Sequence, residues 1–445
     1  MSPILYRQLV PFFALGLSLS VQAAPPARTW QFDLKTPGTY ELHVQHNYDA
    51  VPVPRGAEVS YSIQTTEKTT TRTVPFYRNG DGHPYVELIM DVPSPQKVNV
   101  VIAGIPQPFL QQAKVYLIDI NTRYPYEWFD AEKSVDLKSA KRLRDILKQP
   151  EQDIDLARAK LTIDKLIDSN IDIEANLIKI DTMVAQIKAM PGFGISKTAN
   201  LQVLRRYIYE PGVWNDYHPY QYDLNDPLGN KISNKLLSNY MASKKGNCVT
   251  MPLLFVILGQ RLGLDVAAAT APTHIFVKTK DETTGAWYNL EATSGAEPAR
   301  DVWIRQQLPM TDQAVAHGVY LQPLTKKETA ALMAETLTEY YVDRHELEKL
   351  ITLSDLILEY YPKDVGVMVR KSNAYYDLIN KYYIQKYPTP DDIPDRAKGH
   401  YIYLAQNKRL WATKAIDLGW RETTKAEDEQ YLQRIKQARQ SQTVQ

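Results

Sequence analysis

The segment that decides the fold is "KKGNCVTMPLLFVILGQRLGL", residues 244–264, which contains the only cysteine among 445 residues. Its apolar run predicts a buried helix that Gly263 can terminate. Thr250 is a candidate N-cap for this helix, and Pro252 suits its first turn. Cys248 therefore lies at a predicted helix N-terminus, where unpaired backbone N–H groups and the helix dipole favour a thiolate and can stabilise an oxyanion.

The sequence that follows, "DVAAATAPTHIFVKTKDETTGAWYNLEATSG" (265–295), predicts two strands, a hairpin turn and a third strand. His274 opens the second strand. Asn289 and Glu291 project from one face of the third, because alternate residues of a strand share a face. Nucleophilic cysteine chemistry requires a base for the thiol proton and a third group that fixes the imidazole tautomer. Cys248, His274 and one of these two side chains supply those groups.

The alternative is that Cys248 is a small apolar filler, which is a common role for a buried free cysteine. The amino terminus argues against it. Residues 1–23, "MSPILYRQLVPFFALGLSLSVQA", read as a secretory signal peptide with Arg7 as its charged start and cleavage after Ala23. We therefore expect a periplasmic or secreted protein. A dispensable thiol in such an oxidising compartment is at risk of oxidation and mixed disulfides, which favours a functional cysteine.

Composition excludes two classes of partner. The formal net charge is +1, and signal-peptide cleavage would remove Arg7 and leave the chain neutral. Without a basic block, the sequence gives no electrostatic footprint for nucleic acid or anionic lipid. No segment after the signal peptide has the roughly 18 uninterrupted apolar residues of a membrane-spanning helix. We expect neither a nucleic-acid partner nor a membrane span.

The length of the chain indicates two or three domains. Residues 25–122 alternate apolar with polar side chains between turn formers, which predicts an antiparallel β-sandwich. The stretch "FDLKTPGTYELHV" resembles jelly-roll accessory modules, many of which bind carbohydrate, so a glycan is a candidate ligand; a sandwich without a ligand is the alternative. Residues 328–440 resemble tetratricopeptide helices that could bind a partner protein, with a plain helical bundle as the alternative.

Three stretches, "GNCVTMPLLFVILGQRLGL", "APTHIFVK" and "WYNLEATSG", resemble the core motifs of a bacterial transglutaminase-like group of the papain-like Cys-His-Asp/Glu type. In this group a catalytic-type domain is followed by tetratricopeptide-like helices. The resemblance covers residues 131–324 well and the tail loosely. It implies an α+β fold class, with an amino-terminal sandwich, a central transglutaminase-like domain and a helical carboxy-terminal region.

The resemblance makes Cys248 the nucleophile and His274 the general base and acid. Glu291 takes the place where most transglutaminases carry Asp, and this longer carboxylate leaves Asn289 open as the residue that orients the imidazole, as in a papain-like triad. A polar loop, residues 213–226, is expected to form part of the cleft. The predicted substrate-binding residues are Tyr222, Asp223 and Asn247.

These features predict an exported thiol acyl-transfer enzyme, most simply a peptidase or amidase that acts on a protein or peptide through a thioester. The resemblance implies no metal and no organic cofactor. The alternative is a catalytically inactive transglutaminase-like scaffold that binds a protein partner or a cell-wall glycan, since a fold does not by itself prove activity. Reactivity of the Cys248 thiol distinguishes the two.

Overall fold

The computed structural model describes residues 27–45, 58–64, 69–75, 77–78, 84–85, 89–103, 107–119, 138–226, 229–393, 395–427, 429–430 and 433. The predicted signal peptide, residues 1–23, and the end of the predicted helical region, residues 434–440, lie outside the described residues. The chain divides into two compact units, Met1–Arg123 and Tyr124–Gln445.

The first unit is built mainly of strands. In the described part these are β1 (Ala27–Leu34), β2 (Gly38–Gln45), β3 (Glu58–Gln64), β4 (Thr69–Pro75), β5 (Tyr77–Arg78), β6 (Pro84–Tyr85), β7 (Ile89–Val92), β8 (Gln96–Ala103) and β9 (Lys114–Asp119), with helix α1 (Gln107–Gln112) before β9. The strands pair antiparallel in the orders β1-β8-β3-β4, β7-β2-β9 and β5-β6.

The core of the first unit combines side chains from both larger sheets. Val98, Val100 and Ile102 alternate along β8 and are fully buried, and Leu42 of β2 and Val92 of β7 belong to the same apolar cluster. The predicted alternation is therefore present along β8, where every second residue faces this core. A shared core between two antiparallel sheets is what a sandwich requires. The sandwich itself, and a glycan bound to it, remain predictions.

The second unit is mainly helical. Its described helices are α2 (Lys138–Leu147), α3 (Leu156–Ile167), α4 (Ile173–Ala189), α5 (Lys197–Tyr209), α6 (Leu237–Ser243), α7 (Thr250–Arg261), α8 (Asp301–Gln307), α9 (Asp312–Ala316), α10 (Lys326–Met333), α11 (Glu335–Asp343), α12 (Leu347–Tyr360), α13 (Val365–Ile379) and α14 (Asp395–Asp417). None of the helices that the structure describes is both long enough and apolar enough to cross a bilayer.

Helix α7 is the centre of the second unit. Every residue from Thr250 to Gly259 is buried, as expected of a helix that is apolar on all sides. Helices α4, α5 and α6 pack against it, together with two strands of a sheet. The helix ends in a Schellman motif. Gly263 has a φ of +75°, and the N–H of Leu264 donates to the carbonyl of Gly259 at 2.9 Å.

The sheet beside α7 has the order β12-β13-β14-β15, from β12 (Val266–Ala271), β13 (His274–Lys280), β14 (Trp287–Glu291) and β15 (Glu297–Ala299). Its strands pair antiparallel, and the hairpin predicted between the second and third strands joins β13 to β14. A separate two-stranded parallel pair joins β10 (Gln221–Tyr222) to β11 (Lys245–Gly246), directly before the cysteine. The short pair is formed by residues that precede Cys248 in the sequence, and the four-stranded sheet by residues that follow it.

The helices after Leu324 are part of the same compact unit as α7. Helices α10 and α11 pack on α3, while α12, α13 and α14 each pack on the preceding helix. Their buried side chains, such as Leu337 and Leu350, join the apolar cluster that contains α7. Both sides of the predicted division at 324–328 lie within this one compact unit, and the division into two domains remains a prediction. The tetratricopeptide likeness of these helices remains a prediction.

A fully buried ion pair connects distant parts of the second unit. Lys160 Nζ lies 2.6 Å from Asp164 Oδ1 and also donates to the carbonyl of Lys235 at 2.9 Å. It lies 3.5 Å from the hydroxyl of Thr336, and Asp164 Oδ2 accepts the backbone N–H of Leu237 at 2.8 Å. Burial raises the pKa of Asp164, against the opposing effect of Lys160. The pair is thus hydrogen-bonded on all sides, as a buried charge pair must be.

Candidate active site

Cys248 lies between β11 and α7 and is half-buried. The helix start behind it is held by Asn247, whose Oδ1 accepts the N–H of Val249 at 3.0 Å and of Thr250 at 3.2 Å. The prediction of Thr250 as N-cap is wrong. Thr250 is the first helical residue and is buried, and its hydroxyl contacts Asn247. The capping oxygen comes instead from an amide side chain immediately before the cysteine.

This cap changes which backbone donors are available at the helix N-terminus. The N–H groups of Val249 and Thr250, which the sequence presented as unpaired, are used by Asn247. Within the described residues, the N–H of Cys248 itself has no acceptor. When a thiolate attacks a carbonyl carbon, the negative charge develops on the carbonyl oxygen. The backbone N–H of the cysteine itself is well placed to donate to that oxyanion.

His274 and Glu291 meet across two strands. Nε2 of His274 lies 2.8 Å from Oε2 of Glu291, and both side chains are about nine-tenths buried. The other carboxylate oxygen, Oε1, accepts the N–H of Thr293 at 3.0 Å and its hydroxyl at 2.6 Å. Both oxygens of the Glu291 carboxylate are therefore hydrogen-bonded. Because this carboxylate occupies Nε2 of His274, Nδ1 is the ring nitrogen that can exchange a proton with the thiol.

The charge of His274 depends on Glu291 and Cys248, and the charge of Glu291 depends on His274. Burial alone lowers the pKa of His274, but the Glu291 charge and hydrogen bonds with Cys248 and Glu291 outweigh burial and raise that pKa to about 10. For Glu291, burial raises the pKa, and the interactions with His274 and Thr293 together hold it below its ordinary value. At neutral pH the pair is thus an imidazolium beside a carboxylate.

Asn289 occupies the same face of β14 as Glu291, as the alternation predicted, but it is bonded elsewhere. It lies opposite Lys278 in the β13–β14 register, and its Oδ1 accepts Lys278 Nζ at 2.6 Å. Its Nδ2 donates to the carbonyl of Ala299 at 2.9 Å and to Asp301 at 2.7 Å. The polar atoms of Asn289 are therefore occupied by partners other than His274.

The turn between β12 and β13 brings a backbone carbonyl to the thiol. Sγ of Cys248 lies 3.8 Å from the carbonyl oxygen of Thr273. Thr273 has a φ of +56°, a conformation that is strained for a β-branched residue. Pro272 precedes it at the position of this tight turn where a fixed φ is favoured. A strained residue therefore lies between the histidine strand and the cysteine.

A cavity of 450 Å³ opens at Cys248 and His274. Its opposite side is formed by residues from 319 to 423, so the helices after Leu324 contribute to the space in front of the thiol. Prominent among these residues are Tyr320, Glu335, Tyr361, Asp364, Arg370 and Trp420. A volume of this size is in the range that holds a small ligand.

The predicted substrate-binding residues lie differently. Tyr222 and Asp223 are absent from the described residues that line this cavity. They instead support the strand before the thiol, where Tyr222 pairs with Gly246 in the β10–β11 register and the N–H of Asp223 donates to the Gly246 carbonyl at 2.7 Å. The polar loop thus packs beside the Cys248 segment without lining the cavity.

Asn247 does line the cavity, but its amide group is already committed. Its oxygen caps α7, and its Nδ2 donates to the carbonyl of Asn234 at 3.2 Å. The side chain is almost completely buried. Asn247 therefore acts on the position of Cys248 and not directly on a ligand in the cavity.

Sequence reasoning missed the charged residues on the helical side of the cavity, namely Lys235, Glu335, Glu339, Asp364 and Arg370. One signal was available. Glu335 and Glu339 are four residues apart on α11, and like charges at this spacing destabilise a helix unless another group compensates them. Among the described residues, no group of three or more His, Cys, Asp or Glu side chains is arranged to hold a metal ion.

Comparison with known proteins supports the identification of the central region. Residues 174–335 match the family model of the transglutaminase-like superfamily. The matched range includes Cys248, His274 and Glu291, so the prediction of a transglutaminase-like domain is confirmed. The match does not extend to the helices after residue 335. No curated protein and no solved structure is significantly similar to the chain.

Proposed function

Because residues 174–335 form a transglutaminase-like superfamily domain, we propose that the protein is a cysteine acyl-transfer enzyme, most simply a peptidase or amidase. The observation that carries this proposal is that Cys248 and His274 line one cavity and that the imidazole is bonded to the buried carboxylate of Glu291. A structural histidine has no need of both a thiol and a fixed carboxylate.

In the proposed reaction His274 already holds the proton of the Cys248 thiol as an imidazolium, and the thiolate attacks the carbonyl carbon of an amide. The Cys248 N–H donates to the resulting oxyanion. The imidazolium then protonates the departing amine as the C–N bond breaks, which leaves a thioester. Water or a second amine attacks the thioester, and His274 accepts the proton of the attacking group. Glu291 holds the imidazole and stabilises its charged form.

We also propose that the protein acts outside the cytoplasm, on the strength of the signal-like residues 1–23. The first unit and the helices after Leu324 are candidate surfaces for a glycan and a protein partner. Fractionation tests the location: a mature form that begins near Ala24 in the periplasm or medium is expected, and full-length protein in the cytoplasm would contradict it.

The reaction is tested by alkylation of the native protein with iodoacetamide at about pH 6, followed by mass spectrometry. An ordinary thiol has a pKa of about 8.5 and reacts slowly at this pH. We expect Cys248 to react at least about ten times faster in the native protein than in the urea-unfolded chain. The chain has one cysteine, so all labelling reports this site.

Turnover is tested with a library of peptides and amides, with a Cys248→Ala variant as the control. Release of amine by the native protein and not by the variant supports the enzyme. If Cys248 resists alkylation until the protein is unfolded, the catalytically inactive scaffold replaces the enzyme, and a protein partner or cell-wall glycan becomes the expected ligand.

A further inference from the structure

A second cavity, of 380 Å³, adjoins the one in front of Cys248. Both cavities are lined by the same four residues at their junction, namely Gly229, Lys235, Glu339 and Arg370. Neither Cys248 nor His274 is among the described residues that line the second cavity. The space in front of the thiol therefore continues past the junction, into a cavity that lies away from the reacting atoms.

The charged side chains at the junction are satisfied by one another. Lys235 pairs with Glu339, and Arg370 lies 3.6 Å from Glu339 and 2.7 Å from Glu335. The carbonyl of Lys235 also accepts the buried ammonium group of Lys160 at 2.9 Å. These ion pairs fix the junction in place, and they leave no uncompensated charge that would require an ionic ligand.

The second cavity has an aliphatic floor. Leu347 and Leu350 of α12 and Ala374 of α13 are buried there. Ile232 and Val342 line the same cavity nearer to solvent, and Val342 is 40% exposed. Covering aliphatic surface with another apolar group is favourable because both surfaces leave water. The second cavity therefore suits an aliphatic side chain.

The charges around the two cavities argue against an ionic ligand. The residues that line the first cavity include as many cations as carboxylates: Lys235, Lys363, Arg370 and Arg421 against Glu335, Glu339, Asp364 and Glu422. At the second cavity, the exposed Asp343 and Asp377 lie at the rim and disfavour an anion. Apolar area, and not net charge, is thus what the second cavity offers to a ligand.

We propose that the two cavities form one cleft for an extended polypeptide, with the reacting carbonyl at Cys248 and an aliphatic side chain of the same polypeptide in the second cavity. The identity of the reacting bond rests on the proposed function. An extended chain advances about 3.3 Å per residue, which makes it the form of peptide best able to reach from one cavity into the next.

The aliphatic specificity is a property of the helices that follow the family match. Val342, Leu347, Leu350 and Ala374 all lie beyond residue 335, where that match ends. The thiol and the imidazole lie within it. The cleft thus combines a reactive centre from the superfamily domain with a binding site from the carboxy-terminal helices of this chain.

The test is calorimetric titration of the full chain carrying Cys248→Ala, which binds without turnover. The probes are acetylated and amidated hexapeptides of serine in which one leucine is moved through every position. The all-serine peptide and an aspartate series are the reference probes. We expect leucine at one position to tighten binding at least about tenfold over serine, from the apolar area that leaves water, and aspartate at that position to bring no gain.

Two further substitutions show where the leucine binds. Val342→Lys removes an aliphatic wall at an exposed helical position that lines only the second of the two cavities. Asn373→Trp fills the second cavity from an exposed position of α13. The matched controls are Val302→Lys and Asn170→Trp, at exposed residues outside the described lining of both cavities. Circular dichroism checks the fold of each variant.

A leucine preference that is lost in Val342→Lys and Asn373→Trp and kept in both controls supports the cleft. A preference that survives the two substitutions places the leucine in the first cavity and overturns the cleft. Equal binding of all the peptides, or no binding of any, also overturns it.

The cleft and the proposed function can fail separately. Iodoacetamide is small enough to reach Cys248 through the first cavity alone, so Val342→Lys should be alkylated at the native rate in a chain that keeps Cys248. A negative titration leaves that alkylation unaffected. An unreactive thiol contradicts the proposed function and leaves the result of the titration in place.

Discussion

Strands β13 and β14 carry two polar pairs on one face, and the pairs have different surroundings. His274 lines the cavity beside Cys248, and Glu291 is bonded to its imidazole from behind the cavity wall. Lys278 and Asn289 lie farther along the same strands, where Asp301 and the carbonyl of Ala299 complete their hydrogen bonds. The alternation along β13 and β14 places both pairs on the same face of the sheet. Access to a cavity and to a thiol distinguishes a reactive pair from a structural one.

Among the variants of the two pairs, replacement of His274 is expected to change the reactivity of Cys248 most. His274→Ala should slow alkylation of Cys248 at about pH 6 by roughly a hundredfold, because only about one per cent or less of an ordinary thiol is ionised there. The measurement is the rate of iodoacetamide labelling by mass spectrometry. His317→Ala, at an exposed histidine, is the matched control. An unchanged rate in His274→Ala would show that the imidazole does not sustain the thiolate.

Asn289→Ala tests the other pair. We expect the free energy of unfolding of the second unit to fall by about 2 kcal/mol, because the buried ammonium of Lys278 loses its closest acceptor. Urea denaturation followed by helical circular dichroism measures this loss. Alkylation of Cys248 should stay within about twofold of the native rate. Slowing as strong as that of His274→Ala would assign Asn289 to the reactive group.

Glu291→Gln should slow alkylation at about pH 6 by roughly tenfold, about 1.4 kcal/mol, because the neutral amide stabilises the imidazolium less. The protein is expected to remain folded, since Gln keeps an oxygen for Thr293. Labelling rates across pH should show that the His274 pKa has fallen from about 10 towards its ordinary value. A pH profile identical to the native one would remove Glu291 from the array.

Glu291→Gln should also change how the free energy of unfolding depends on pH. The pKa of His274 is raised in the folded protein, so the stability it contributes is present in full below about pH 6.5 and is lost as the pH rises through about 10. The difference in unfolding free energy between the native protein and Glu291→Gln should therefore shrink over this range. A difference that grows with pH would contradict the ion pair.

The smallest expected effect is that of Thr293→Val. The hydroxyl of Thr293 donates to Glu291 at 2.6 Å, and its loss should slow alkylation only about two- to fourfold, which corresponds to one ordinary hydrogen bond. Thr293→Ser keeps the hydroxyl and serves as the control. Equal slowing in both variants would point to altered packing of the turn and not to the hydrogen bond.

The sequence predicted the elements of the candidate site where local rules were sufficient. Alternation placed His274 on a strand start and put Asn289 and Glu291 on one face. It could not choose between them, because that choice depends on the register with β13, which sets Lys278 opposite Asn289. The register is a relation between strands, and periodicity within one strand does not contain it.

The rest of the site depends on tertiary packing. Glu335 begins α11 and Asp364 caps α13, and only the packing of these two helices brings their carboxyl groups to the cavity. The cap of α7 was misassigned for a similar reason. Asn247 and Thr250 are both good capping residues, and the backbone path from β11 selects Asn247.

The buried Lys160–Asp164 pair has a consequence for the order of folding during synthesis. Two of its partners, Lys235 and Thr336, follow Lys160 by 75 and 176 residues. At elongation rates of about 5–20 residues per second, roughly ten seconds or more separate Lys160 from Thr336 on the ribosome. Removing this charge from water early would be unfavourable. Thr336 is the first residue beyond the family match, so the helices that hold Cys248 are expected to close their core only after that match has been fully translated.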